Sequence, residues 1–194
     1  MSDLKAAVAQ LLAQTPEMNT LDLAAQLEVG EGSVILALSE KWVTVLGGEQ
    51  CEALLTALTQ WGDLVTIIEK EGSIFEVKQP FPQGRNGYGY YNLNMHGGTP
   101  TGSLYGHLKL SQVDKIALVS KPFRGKESYA FAFITKCGQV MFKIYLGRDD
   151  KRELIASQVS KFKQLLATKP LTKDYPWKIV KRVCKIKLGL KFKS

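Results

Sequence analysis

Between Asp3 and Gln14 the apolar residues Leu4, Val8, Leu11 and Leu12 recur at helical spacing, which predicts a short amphipathic helix over 3–14. A second helix is predicted over 20–27, with Thr20 as its cap ahead of LDLAAQL. The turn VGEG follows, and SVILALSEK reads as a third helix that Ser33 is placed to cap. Gly47 and Gly48 break the pattern before a fourth helix at about 49–61, which ends at Trp61-Gly62.

Beyond Gly62 the period changes. VTIIEK and SIFEVK, joined by Glu71-Gly72, predict a β-hairpin with strands at 64–70 and 73–78. From Pro80 to Pro100 the chain is rich in Gly, Asn, Pro and Tyr and has no helical period. So long a connection is a natural carrier of function. SLYGHLKL, KIALVSKPF, SYAFAFITK and QVMFKIYLG then supply four strand candidates, rich in β-branched and aromatic residues. Asp150, with Glu153 three residues on, predicts a capped helix running to about Ala167. Helices, then many strands, then a helix imply an α+β fold: N-terminal helices, a large antiparallel β-sheet and a C-terminal helix. The expected organisation is one domain over 1–168, helical over 1–62, with sheet and closing helix over 63–168. A basic C-terminal tail, 169–194, follows.

The net charge of +8 changes this picture only at its end. Nine of the Lys and Arg residues fall within 169–194 against a single acid, Asp174, so the remaining 168 residues are balanced. The basic excess therefore does not describe the body of the protein. The tail alternates Lys with apolar residues from Lys185 onward and is expected to add an edge strand if it folds. No apolar run reaches the roughly 18 residues of a membrane span. The start, MSDLKAAVAQ, lacks the basic flank and apolar stretch of an export signal. Cys51, Cys137 and Cys184 form no CxxC or CxxCH spacing and read as free buried thiols of a reducing cytosol.

Three constellations compete for the chemistry. LAAQLEVGEGSVILALSE has the outline of a helix-turn-helix, but Ser33 to Glu40 offers no Arg or Lys and is flanked by Glu31 and Glu40. Such a surface repels a phosphate backbone, so nucleic acid is not an expected partner. Hydrolytic catalysis finds no GxSxG, HExxH or Walker sequence, and only His96 and His107 as imidazoles. The third is RNGYGYYNLNMHGG with SLYGHLKL, which gathers Tyr88, Tyr90, Tyr91, Tyr105, His96 and His107 around glycines. Phenols and imidazoles beside close-approach backbone suit a flat aromatic ligand, and both side chains are used by proteins to hold haem iron.

The run from Gly106-His107 through IALVSKPF, Gly125 and MFKIYLGRDDKREL to Gln158, with Gly89-Tyr90-Tyr91-Asn92-Leu93 upstream, resembles the HutX/ChuX haem-utilisation carriers. The likeness is strong over about 84–167 and fainter toward the N-terminus. It implies a cytoplasmic, non-enzymatic homodimer that binds one haem (iron protoporphyrin IX, held non-covalently) per subunit. It also implies delivery to a downstream haem-degrading enzyme, and a fold like one half of the two-repeat HemS/ChuS proteins. That shared fold makes a haem-degrading enzyme the alternative reading.

Carried over by position, Tyr90 and His107 are the implied iron ligands. Tyr91, Lys121 and Arg148 join them as haem contacts, the two cations toward the propionates. Arg124 and Lys143 are further cations of the same kind, whereas Met141 reads as core. Some relatives place a second histidine at the end of the first hairpin strand. Glu69 stands there in this sequence, which shifts the weight toward Tyr90.

Overall fold

The computed structural model describes residues 2–94 and 104–167. Three helices open the chain: α1 (Ser2–Gln14), α2 (Thr20–Gln26) and α3 (Glu31–Ala37). They pack on one another through Val8, Leu12, Leu23, Val34 and Leu38, all buried. The cap of α2 is Asn19 rather than Thr20, its side chain accepting from the Asp22 amide. Thr20 instead turns its hydroxyl to Glu31.

Helix α3 starts at Glu31, two residues before the expected Ser33, with Gly30 as its cap. The glycines of VGEG make this possible by close approach. A Cβ on Gly30 would lie 2.3 Å from the Gly138 carbonyl oxygen, and one on Gly32 would lie 2.5 Å from Ile134.

A strand not anticipated in the helical region follows, β1 (Val43–Gly47). Tertiary pairing with a distant strand decides its conformation, for Val43 lies opposite Val119. A 3₁₀ turn at Gly48–Gln50 leads into α4 (Cys51–Leu58), shorter than predicted. The hairpin β2 (Asp63–Lys70) and β3 (Ser73–Pro80) forms as expected, and Glu71 and Gly72 both take positive φ in its turn.

The stretch after Pro80 is not irregular throughout. It contains β4 (Gly84–Gly87) and β5 (Tyr90–Leu93), and β6 (Gly106–Leu108) is all that remains of the SLYGHLKL strand. These three form a separate small sheet in the order β4-β5-β6. The large sheet is completed by β7 (Val113–Val119), β8 (Ala130–Thr135) and β9 (Val140–Leu146), in the order β1-β7-β8-β9-β2-β3, antiparallel throughout. The last helix, α5 (Ala156–Ala167), begins six residues after Asp150, which does not cap it. Asp149 organises the turn instead, its carboxylate accepting from the Lys151 and Glu153 amides.

The large sheet divides two apolar layers. On one face Leu64, Ile116, Leu118, Phe131, Phe133 and Ile144 meet Leu54, Leu55 and Leu58 of α4 and Phe162 of α5. Tyr91 and Leu93 of the small sheet belong to that same core. On the other face Ala117, Ala132 and Ile134 receive Ile35 of α3, and the small alanines let the helix sit close. The tail 169–194 and its possible edge strand lie outside the described residues.

Candidate functional site

Strand β5 alternates between two environments. Tyr91 and Leu93 point into the core, so Tyr90 and Asn92 project from the opposite, outer face of the small sheet. The β4–β5 turn sets this register: Tyr88 and Gly89 both adopt positive φ, the signature of a two-residue hairpin loop. His107 lies directly opposite Asn92 on β6 and shares its face.

The rings of Tyr90 and His107 meet edge to face, with centroids 5.9 Å apart, and Tyr90 is 40% exposed. The ammonium of Lys109 lies 4.5 Å from the centre of the Tyr90 ring, a cation on an electron-rich face.

Asn92 organises the group. Its side-chain amide donates to the carbonyls of Arg85, Gly87 and Tyr90, which identifies Oδ1 as the atom 2.6 Å from His107 Nδ1. An amide oxygen only accepts, so His107 carries its proton on Nδ1. The neutral ring then has its lone pair on Nε2. That arrangement resembles the second-sphere hydrogen bond of metal-ligating histidines. Asn92 and Lys109 were not singled out from the sequence. The i, i+2 spacing of Tyr90 with Asn92 and of His107 with Lys109 was the signal that places each pair on one face.

The other sequence-derived residues are placed elsewhere. Tyr91 is only 2% exposed, its ring against Gly84 and its hydroxyl 3.4 Å from that of Thr56. It supports the small sheet from behind. Lys121 is buried on the α3 side of the large sheet, donating to the carbonyls of Pro16 and Pro122. Burial pushes its ammonium below the usual lysine range, opposed by Glu17. Arg148 donates to the carbonyls of Arg152 and Glu127 and so braces the turn before α5. Arg124 lies over the Phe123 ring, Met141 packs on the core, and Glu69 accepts from the Gly72 amide to shape the hairpin turn. His96 lies outside the described residues.

Two hollows occupy the α3 side of the large sheet. The first, about 210 Å3, is lined by Ile35, Ile67, Ile74 and Lys121. Lys143 crosses it to Glu31 at 2.7 Å, a buried ion pair. The second, about 260 Å3, carries Lys78, Arg148 and Arg152. Ser128 and Tyr145 line both. The predicted residues thus fall into two groups: Tyr90 and His107 on the small sheet, and Lys121 and Arg148 behind the large one.

The sequence model of the family described as haem utilisation ChuX/HutX matches residues 44–165, a span that holds every one of these residues. The chain belongs to the ChuX/HutX family. This family member is 48% identical over 165 residues to the intracellular heme transport protein HutX of Vibrio cholerae, covering 85% of this chain and 83% of the relative. Among solved structures, the heme binding protein ChuX superposes with a TM-score of 0.72 at 31% identity, over 82% of this chain and 97% of that one. Holo-PhuS, a heme-binding protein of Pseudomonas aeruginosa, shares the fold at a TM-score of 0.63 and 19% identity. This chain covers 46% of its length.

Proposed function

We propose that this ChuX/HutX-family protein is an intracellular haem carrier, and that Tyr90 and His107 grip the iron reversibly. The observation that carries the reading is their meeting on one exposed face, with the Nε2 lone pair of His107 left outward by Asn92. A phenol oxygen and an imidazole nitrogen are both established haem ligands. As a hard oxygen donor, the phenolate favours ferric iron. Lys109 lies against the Tyr90 ring and adds a cation to the same face. Lys121 and Arg148 are the propionate contacts of this reading, and Tyr91 acts through packing.

A carrier releases what it binds, and an open, non-covalent site fits release. The relative at 48% identity is named for transport. The likeness to the heme oxygenase ChuS, at 10% identity, extends to the fold alone. The reading includes a cytoplasmic homodimer, one haem (iron protoporphyrin IX) per chain, and a haem-degrading enzyme as receiver.

Titration of ferric haem into the apoprotein, followed by absorbance, tests it. One equivalent per chain saturates the spectrum, and the Tyr90→Phe variant loses the tyrosinate charge-transfer band and binds more weakly. Under a reductant in air the haem bands persist; bleaching to an open tetrapyrrole establishes a degrading enzyme instead. Absence of a saturable complex refutes the carrier reading.

A further inference from the structure

The large sheet ends in two edge strands, β1 on one side and β3 on the other. They differ in what they leave bare. Every residue of β1 is buried or half-buried. On β3, Ile74 and Phe75 are 57% and 60% exposed, and Ile68, opposite Phe75 on β2, is exposed as well. An edge strand with bare apolar side chains is a template for a further strand.

The two faces of β3 differ in chemistry. Side chains alternate along a strand, so Phe75 and Val77 share one face while Ile74, Glu76 and Lys78 share the other. Glu69 of β2 lies opposite Ile74 and adds a second carboxylate to that face. A strand that fits this edge is apolar on one side and cationic on the other.

The chain carries such a segment. Residues 185–193, KIKLGLKFK, set Ile186, Leu188, Leu190 and Phe192 on one side of an extended backbone. Lys185, Lys187, Lys191 and Lys193 fall on the other, with Gly189 in the middle of the lysine row. This segment lies outside the described residues and beyond the match to the family model, which ends at residue 165. Helix α5 ends at Ala167. Residues 168–184 reach roughly 55 Å when extended, enough to cross a domain about 40 Å wide. A segment tethered in this way competes at an effective concentration on the order of millimolar.

We propose that residues 185–193 pair with β3 of their own chain as an added antiparallel strand of the large sheet. One register satisfies both faces. With Gly189 opposite Lys78, Lys191 falls opposite Glu76, Leu190 opposite Val77, and Phe192 opposite Phe75. Aromatic and opposite-charge pairs across strands stabilise, and like charges directly opposite destabilise. Glycine then stands at the one position where a lysine would face Lys78. The added strand covers Phe75 and closes the edge. The proposal does not depend on what the protein carries.

The test uses the full chain with Cys137→Ser and Cys184→Ser, leaving only the buried Cys51. Phe75→Cys combined with Phe192→Cys puts two thiols directly opposite each other. Mild oxidation is expected to link them within one chain, seen as a monomer on a non-reducing gel and as a joined peptide by mass spectrometry. Glu76→Cys with Phe192→Cys puts the thiols on opposite faces and should not link. Equal linking in both variants, or none in the first, overturns the register and the proposal. A bond that forms only between chains overturns docking on the same chain.

Hydrogen exchange gives a reading without new cysteines. Leu190→Asp with Phe192→Asp alters only the tail, and amides of β3 should then exchange about tenfold or more faster than in the wild type. Anionic lipid is the rival occupant of a basic, partly apolar segment. If phosphatidylserine vesicles retain the wild type but not this variant, and β3 exchanges alike in both, the tail is a lipid-binding arm and the added strand is refuted.

Discussion

His107 Nδ1 lies 2.6 Å from the side-chain oxygen of Asn92, across one strand, while the amide nitrogen of Asn92 is spent on three backbone carbonyls. One side chain therefore closes the β4–β5 turn and selects the tautomer of the imidazole. Replacing Asn92 with Val keeps a strand-forming residue but frees the ring to rotate and exchange tautomers. Outer partners of metal-bound histidines are worth roughly 10–100-fold in affinity. Haem transfer from Asn92→Val to an excess of an apo-globin should accelerate by about tenfold or more. Combining it with His107→Ala should add little, since both changes disable the same proposed ligand. Additive effects in that cycle would show that Asn92 acts elsewhere.

Behind the large sheet, Lys143 and Glu31 form an ion pair with both side chains under 10% exposed, and Thr20 donates to the same carboxylate oxygen. Breaking such a pair from one side leaves an uncompensated buried charge. Glu31→Ala should cost about 3–5 kcal/mol in a denaturant melt. The double replacement Glu31→Leu with Lys143→Met should recover most of that, because two apolar side chains of similar volume replace the pair. A double variant as unstable as the single one would mean that the pair holds α3 on the sheet.

The order of elements was legible in the sequence because periodicity survives folding wherever one face of an element is buried. It is why 3–14 and the hairpin at 64–78 lie close to where the pattern puts them. Failures occurred where distant partners decide. WVTVLG reads on from a helix but is a strand because β7 offers its edge. Asp150 looks like a cap, yet the chain continues through a turn built on Asp149 and a bridge from Arg148 to Leu154. At the candidate site, residue types together with the family resemblance pointed to Tyr90 and His107, whose rings the structure brings together. That Tyr91 faces inward follows only from knowing that β5 is a strand, and a four-residue strand among glycines carries too little alternation to reveal itself.

Gln158, fully buried on α5, accepts from the Gly147 amide and donates to the carbonyls of Trp61 and Asp63. It joins the last helix to the end of β9 and the start of β2. Gln158→Leu strands one donor and two acceptors, each costing roughly 1–3 kcal/mol when left unpaired. A loss of about 3 kcal/mol or more in urea unfolding is expected, with haem stoichiometry unchanged in the folded fraction. Selective loss of haem at undiminished stability would move Gln158 from scaffold to site.

Of the described cysteines Cys51 is buried as expected, but Cys137 lies exposed in the β8–β9 turn, so the two should separate sharply by reactivity. Burial, aided by Glu52, pushes the Cys51 thiol up to about 12, whereas a hydrogen bond from Thr135 lowers that of exposed Cys137. In a Cys184→Ser background at pH 8, a disulfide reagent should label Cys137 quickly and leave Cys51 untouched until the protein unfolds. The same shift predicts a pH dependence. The folded thiol titrates above its unfolded value of 9.0, so its contribution is fully present below pH 9. It is lost progressively as the pH climbs toward 12, because the unfolded thiol ionises first. Cys51→Ala should therefore flatten the alkaline fall in stability between pH 9 and pH 11. An identical alkaline limb in wild type and variant would show that Cys51 is not the group responsible.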